Sequence, residues 1–120
     1  MSNTLINKLY PPYIEGALPA FSDDKNLHPI LKIQYSLNRG VTDNNIKGYS
    51  LLIKKITTNQ IIGTSTSFTK INDIIYFDLF DINLIKGQYY KVQLAFIDKE
   101  GIVGYYSTPA LVKYIEEPIL

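Results

Sequence analysis

His28 is the only imidazole in the chain, and it stands directly before Pro29. As a general base it would need a nucleophile and an orienting acid within hydrogen-bond reach. Ser36 and Asp43 are available, but no nucleophile-elbow pattern surrounds a serine, and His28 reads as a surface or strand-edge residue. Asp73, Asp78 and Asp81 could offer oxygens to calcium, yet the EF-hand loop with its central glycine and closing glutamate is missing. Asp78 alternates with apolar neighbours and is expected to face solvent, and Asp23-Asp24 reads as loop. A retaining glycosidase needs two carboxylates about 5 Å apart in a cleft. Glu15, Glu100, Glu116 and Glu117 fall near loops or the terminus, and nothing in the sequence pairs them. Cysteine is absent, which removes disulfides, cysteine–zinc sites and thiol nucleophiles. The expectation is a non-catalytic protein without cofactor or metal.

What remains is chemistry of contact. Ten tyrosines stand among 120 residues. Tyr89 lies on the opposite strand face from Tyr90, and one of Tyr105 and Tyr106 should also face outward. A phenol facing solvent can anchor a protein interface or stack on a sugar ring, or simply pair with a cross-strand neighbour. Lys54-Lys55, Lys70, Lys86 and Lys91 could form a basic stripe for single-stranded nucleic acid on an OB-type barrel. With 12 basic against 11 acidic residues the net charge is only +1, so solvated lysines that discourage edge-to-edge pairing are the preferred reading.

The elements that must position these groups are strands. β-branched and aromatic residues are frequent, and no stretch keeps a 3.6-residue apolar period. Tyr10–Ile14 carries the pair Pro11-Pro12 and reads as an edge strand, with Leu18–Phe21 continuing it past Gly16. Leu31, Ile33, Tyr35 and Leu37 alternate with polar residues, and Ile46, Tyr49, Leu51 and Ile53 belong to a third strand that starts around Gly48. Ile61–Phe68 reads as one weak, Thr/Ser-rich edge strand. Ile75, Phe77 and Leu79 form another run, and Tyr90, Val92, Leu94 and Phe96 form the cleanest one. Asp98-Lys99-Glu100-Gly101 is a tight turn whose glycine suits a positive φ. The last strand spans about Val103 to Ile115, broken near Pro109. About seven strands at this spacing predict an all-β, two-sheet antiparallel sandwich. Its expected core is Leu31, Ile33, Tyr35, Tyr49, Leu51, Ile53, Phe77, Leu79, Tyr90, Val92, Leu94, Phe96 and Val112.

Three patterns in order resemble the fibronectin type III family: Ile46-x-Gly48-Tyr49-x-Leu51-x-Ile53, Leu84-x-x-Gly87-x-x-Tyr90-x-Val92-x-Leu94, and Ser107-x-Pro109-Ala110-x-Val112. The resemblance covers about residues 10–115. It implies that Tyr90 is the family's corner tyrosine, whose hydroxyl bonds to upstream backbone. The family's tryptophan in the second strand is missing, and Tyr35 is the expected substitute. A second likeness is to segments of bacteriophage tail and other virion proteins. It rests on Gly87-Gln88-Tyr89-Tyr90-Lys91-Val92-Gln93-Leu94-Ala95-Phe96-Ile97-Asp98 and on Gly104-Tyr105-Tyr106-Ser107-Thr108.

The N-terminus shows no secretory signal, and no run approaches the roughly 20 apolar residues of a membrane span. The initial Met reads as a natural start. Residues 1–9 read as an arm, 10–115 as the sandwich, and 116–120 as the start of a linker or further domain. The expected role is a structural or attachment module of a phage tail or fibre, made in the host cytoplasm. Its partners would be other virion proteins or symmetry-related copies, with neither nucleic acid nor membrane. The alternative is a glycan-contacting accessory domain of a bacterial surface protein or cell-wall enzyme. Candidate contact residues are Leu5, Ile6, Tyr89, Tyr105, Tyr106, Ile119 and Leu120.

Overall fold

The structure, a computed structural model, describes residues 8–21, 29–79 and 82–114. Eight strands appear among them: β1 (Tyr13–Phe21), β2 (Pro29–Ser36), β3 (Ile46–Lys55), β4 (Ile61–Ser65), β5 (Phe68–Ile71), β6 (Ile74–Asp78), β7 (Tyr89–Asp98) and β8 (Ala110–Lys113). They build two antiparallel four-stranded sheets, ordered β1-β2-β6-β5 and β4-β3-β7-β8. This arrangement defines an immunoglobulin-like β-sandwich of the fibronectin type III-like kind.

The alternating runs explain the layering, because period-2 side chains from each sheet meet between the sheets. In one sheet Leu31 stands opposite Phe77 and Ile33 opposite Ile75. In the other, Tyr49 faces Phe96, Leu51 faces Leu94 and Ile53 faces Val92. Every residue of the expected core is buried, and Val41, Ile46 and Ile75 join them. Fully burying a Leu, Ile, Val or Phe side chain stabilises by about 1.5–3 kcal/mol, so this contiguous cluster is the main source of stability.

Tyr35, the expected substitute for a tryptophan, is buried in the core. Its ring lies edge-on to Tyr49 and Phe96, with centroids 5.5 and 5.8 Å away. A buried phenol needs a partner that an apolar ring would not. Tyr35 and Tyr49 supply one to each other, their hydroxyl oxygens sharing a 2.7 Å hydrogen bond.

Several boundaries differ from the sequence reading. The expected strand Ile61–Phe68 is two strands on two sheets. β4 pairs with β3, the chain crosses at Ser67, and β5 pairs with β6. This accounts for eight strands where about seven were expected. A Thr/Ser-rich stretch looks alike whether it stays in one sheet or changes sheet, because local propensity carries no partner information. The last strand is regular only over Ala110–Lys113. Before it, Val103 makes an isolated bridge to Ile97. The described end of the N-terminal arm is docked rather than free. Leu9 packs against the core, and its carbonyl accepts the Tyr105 amide at 3.0 Å. Gly104 permits this approach, since a Cβ there would lie 2.6 Å from the Leu9 oxygen.

Candidate docking site

The groups that could have formed a catalytic or metal site do not converge. Ser36 Oγ donates to Glu15 Oε1 at 2.7 Å, while Asp43 Oδ1 lies 3.7 Å from Lys70 Nζ on another element. Asp73 sits in the turn before β6 and Asp78 at that strand's far end, roughly 16 Å away at about 3.3 Å per residue. Among the described residues no group of three His, Asp or Glu side chains could hold a metal ion. His28, Asp23, Asp24, Asp81, Glu116 and Glu117 lie outside the described residues, as do the contact candidates Leu5, Ile6, Ile119 and Leu120.

The three tyrosines of the contact reading do not form one platform. Tyr89 begins β7, whereas Tyr105 lies beyond the Asp98–Gly101 turn, beside the opposite end of that strand. Tyr105 is 50% exposed, its ring 5.4 Å from Lys8 Nζ. Tyr106 is half-buried, and its hydroxyl shares a 2.7 Å hydrogen bond with Ser50 Oγ on the outer face of β3. It ties the irregular last segment to the sheet and is not an open anchor. Ser107 does related work: its Oγ accepts the Leu94 amide at 3.0 Å and its own amide donates to the Leu94 carbonyl at 2.8 Å. A buried backbone donor must find a partner, and these bonds continue the ladder where β8 has not yet begun.

Tyr89 does take part in a surface feature. The turn between β3 and β4 and the segment between β6 and β7 enclose an open groove of about 840 Å³. Ile56, Ile61, Ile85 and Tyr89 contribute its apolar lining. Ile61, Ile85 and Tyr89 are 56%, 60% and 56% exposed. Large apolar groups gathered in this way mark a contact surface more often than isolated ones do.

Local chemistry builds each wall. Asn59 takes a left-handed conformation with φ of 58°, and its amide donates to the Lys55 carbonyl at 3.1 Å, closing the β3–β4 turn. On the other wall the Ile85 amide donates to the Tyr90 hydroxyl oxygen at 2.8 Å. Gly87 follows with φ of 82°, a conformation that glycine adopts without cost. Its amide donates to the Tyr114 carbonyl at 2.8 Å, which fixes the segment to the end of β8.

Beside the groove the outer sheet face is basic. Register sets Ile61 opposite Lys54, Lys54 opposite Lys91 and Lys91 opposite Leu111. Lys113 stands opposite Tyr89, its Nζ 5.9 Å from the ring centroid. Lys91 Nζ donates to Asn59 Oδ1 at 2.8 Å. Lys54, Lys55, Lys86 and Lys91, weighed as part of a stripe and set aside as solvated lysines, gather at one end, while Lys70 is elsewhere, near Asp43. Ile61, Ile85, Leu111 and Lys113 were not singled out from sequence. The alternation within each strand was visible, but the register that aligns the strands was not.

No protein-family model matches the chain, and no curated protein matches its sequence. Among solved structures, the chain is similar to the fourth fibronectin type III domain of a human protein. The identity is 18% and the TM-score 0.46, over 95% of this chain and 85% of that one. It is also similar to CopC from Methylosinus trichosporium OB3b, with 12% identity and a TM-score of 0.44, over 90% of this chain and 99% of that one. The fold assignment rests on the chain's own strand order and on the Tyr90 corner.

Proposed function

We propose that this domain is a non-catalytic docking module of a bacteriophage virion, in the tail or its fibres, that holds neighbouring virion proteins. The observation that carries the docking part is the groove with Ile61, Ile85 and Tyr89 exposed around it. Burying such side chains against a partner offsets the cost of association, and aromatic anchors contribute most to interfaces of this kind. The virion part is supported by the likeness of residues 87–98 and 104–108 to virion segments. Those two segments are adjacent arms joined through one turn, with the Gly104 amide donating to the Phe96 carbonyl at 2.7 Å. A glycan-contacting role loses support, because Tyr89 and Tyr105 stand at opposite ends of β7 and Tyr106 is bonded to Ser50.

Immunogold labelling of particles purified from the phage that encodes the chain tests this reading. Labelling confined to the tail or fibres is expected. Particles that carry none of the protein would contradict it.

A further inference from the structure

The two outer faces of the sandwich differ. The sheet β4-β3-β7-β8 is basic beside the groove, whereas the outer face of β1-β2-β6-β5 is weakly charged. Leu31, Ile33, Ile75 and Phe77 are buried, so alternation turns Lys32, Gln34, Ile74 and Tyr76 outward on β2 and β6. Register aligns these into rows that cross all four strands. One row is Leu18, Lys32, Tyr76 and Thr69, and the next is Gly16, Gln34, Ile74 and Ile71. Leu18 is 62% and Ile71 54% exposed, and they stand at diagonally opposite corners of the two rows. Lys32 Nζ lies 5.9 Å from the Tyr76 ring centroid, with Asp78 two residues beyond Tyr76 on the same strand face. Glu15 stands toward the other end, where its Oε1 accepts from Ser36 Oγ.

We propose that this face pairs with the same face of a second copy, forming a twofold dimer. The inference goes beyond the groove, which belongs to the other sheet. Stacked sheets lie about 10 Å apart with their strands within about 30° of alignment. A twofold axis along the strands sets each row against its own reverse. Ile71 of one copy then lies over Gly16 of the other, where a Cβ would meet nothing within 4 Å. Leu18 lies over Thr69, and Lys32 lies over Tyr76 of the facing copy, one row from its Asp78. Each contact occurs twice, as an isologous interface requires.

Charge and area favour a like face as the occupant. A face of one sign repels its own copy, whereas here Lys32 is matched by Asp78 and by an aromatic ring. Four strands at about 4.8 Å and six or so residues at about 3.3 Å give a flat footprint of roughly 400 Å² per copy. Side-chain relief enlarges the accessible area, which brings two copies close to the ~1,000 Å² of a specific interface. The described ends of the chain lie elsewhere. Lys8 Nζ is 5.4 Å from the Tyr105 ring, and Tyr114 is bonded to Gly87 and Gln88, all beside the other sheet.

The chain has no cysteine, so introduced thiols report on contacts cleanly. Gly16 and Ile71 sit on the two edge strands of one sheet, about 14 Å apart at about 4.8 Å per strand, too far for a disulfide within one copy. The full chain carrying Gly16→Cys with Ile71→Cys should shift from monomer to covalent dimer on mild oxidation, while either change alone should stay monomeric. If that pair fails to melt cooperatively, Leu18→Cys with Thr69→Cys replaces it. In sedimentation velocity the unaltered chain should dimerise with rising concentration, and Leu18→Lys with Ile71→Lys should abolish this while keeping a cooperative melt. A monomeric unaltered chain, single-cysteine variants that cross-link as readily as the pair, or a lysine variant that dimerises like the parent overturns the proposal. Dimerisation abolished by Ile61→Asp with Ile85→Asp instead overturns it in favour of the groove.

Discussion

The Ile85 amide donates to the hydroxyl oxygen of Tyr90 at 2.8 Å, so a core side chain holds the groove wall from beneath. Tyr90 is 5% exposed and Ile85 is 60% exposed, so one bond connects packing to contact surface. Tyr90→Phe keeps the ring and removes the acceptor. It should cost about 1 kcal/mol, the usual net worth of such a bond. Denaturant midpoints of parent and variant should differ accordingly, and coincident curves would contradict the corner.

Tyr35 and Tyr49 satisfy each other through one 2.7 Å bond inside the core. Removing either hydroxyl leaves the other buried without its partner, which costs about 1–3 kcal/mol. Removing both leaves two edge-packed rings and no orphan. Tyr35→Phe with Tyr49→Phe should therefore destabilise by less than the sum of the single changes. Additive values in a double-mutant cycle would contradict the pairing.

Burial, reinforced by the bond to Tyr35, pushes the Tyr49 phenol above its ordinary value of 10.0. Below that pH the phenol is neutral in folded and unfolded chains alike, and its contribution to stability is complete. At higher pH the unfolded chain releases the proton while the folded chain keeps it, so stability falls as pH rises. Tyr49→Phe should lose stability less steeply than the parent above pH 10. Parallel alkaline limbs in melts across that range would contradict the shift.

Gly104 and Gly16 form a contrasting pair. A Cβ at Gly104 would meet the Leu9 carbonyl oxygen at 2.6 Å and the Phe96 oxygen at 3.2 Å, whereas a Cβ at Gly16 meets nothing within 4 Å. Gly104→Ala should displace Leu9, weaken the Tyr105–Leu9 bond and destabilise by about 1–3 kcal/mol, the usual cost of overpacking. Gly16→Ala should be neutral or stabilise by up to about 1 kcal/mol, by restricting the unfolded chain. Amide exchange at Tyr105, fast in the first variant and unchanged in the second, checks both.

The core was legible because alternation is a local signal: Leu31-x-Ile33-x-Tyr35 and Tyr90-x-Val92-x-Leu94-x-Phe96 each present one apolar face. The turn at Gly101 was legible for a similar reason, and its φ is 84°. The sheet change near Ser67 was not, since strand partners are chosen by tertiary packing. Nor could sequence separate Tyr105 from Tyr106, because neither alternation nor composition reveals the Ser50 hydroxyl that captures Tyr106. The lysines were visible as a scattered set. Only register brings Lys54 beside Lys91 and removes Lys70 from the group.

The most direct measurement of the proposed docking role is incorporation of an Ile61→Asp, Ile85→Asp double variant, in competition with the unaltered chain, into the particles to which the proposal assigns the domain. Both side chains are largely exposed, so the variant should keep a cooperative melt close to the parent's. Charges placed on the apolar rim should nevertheless exclude it from assembled particles, because taking a charge out of water into an apolar contact is costly. A folded variant that enters particles at the parent's level would show that docking occurs elsewhere on the domain.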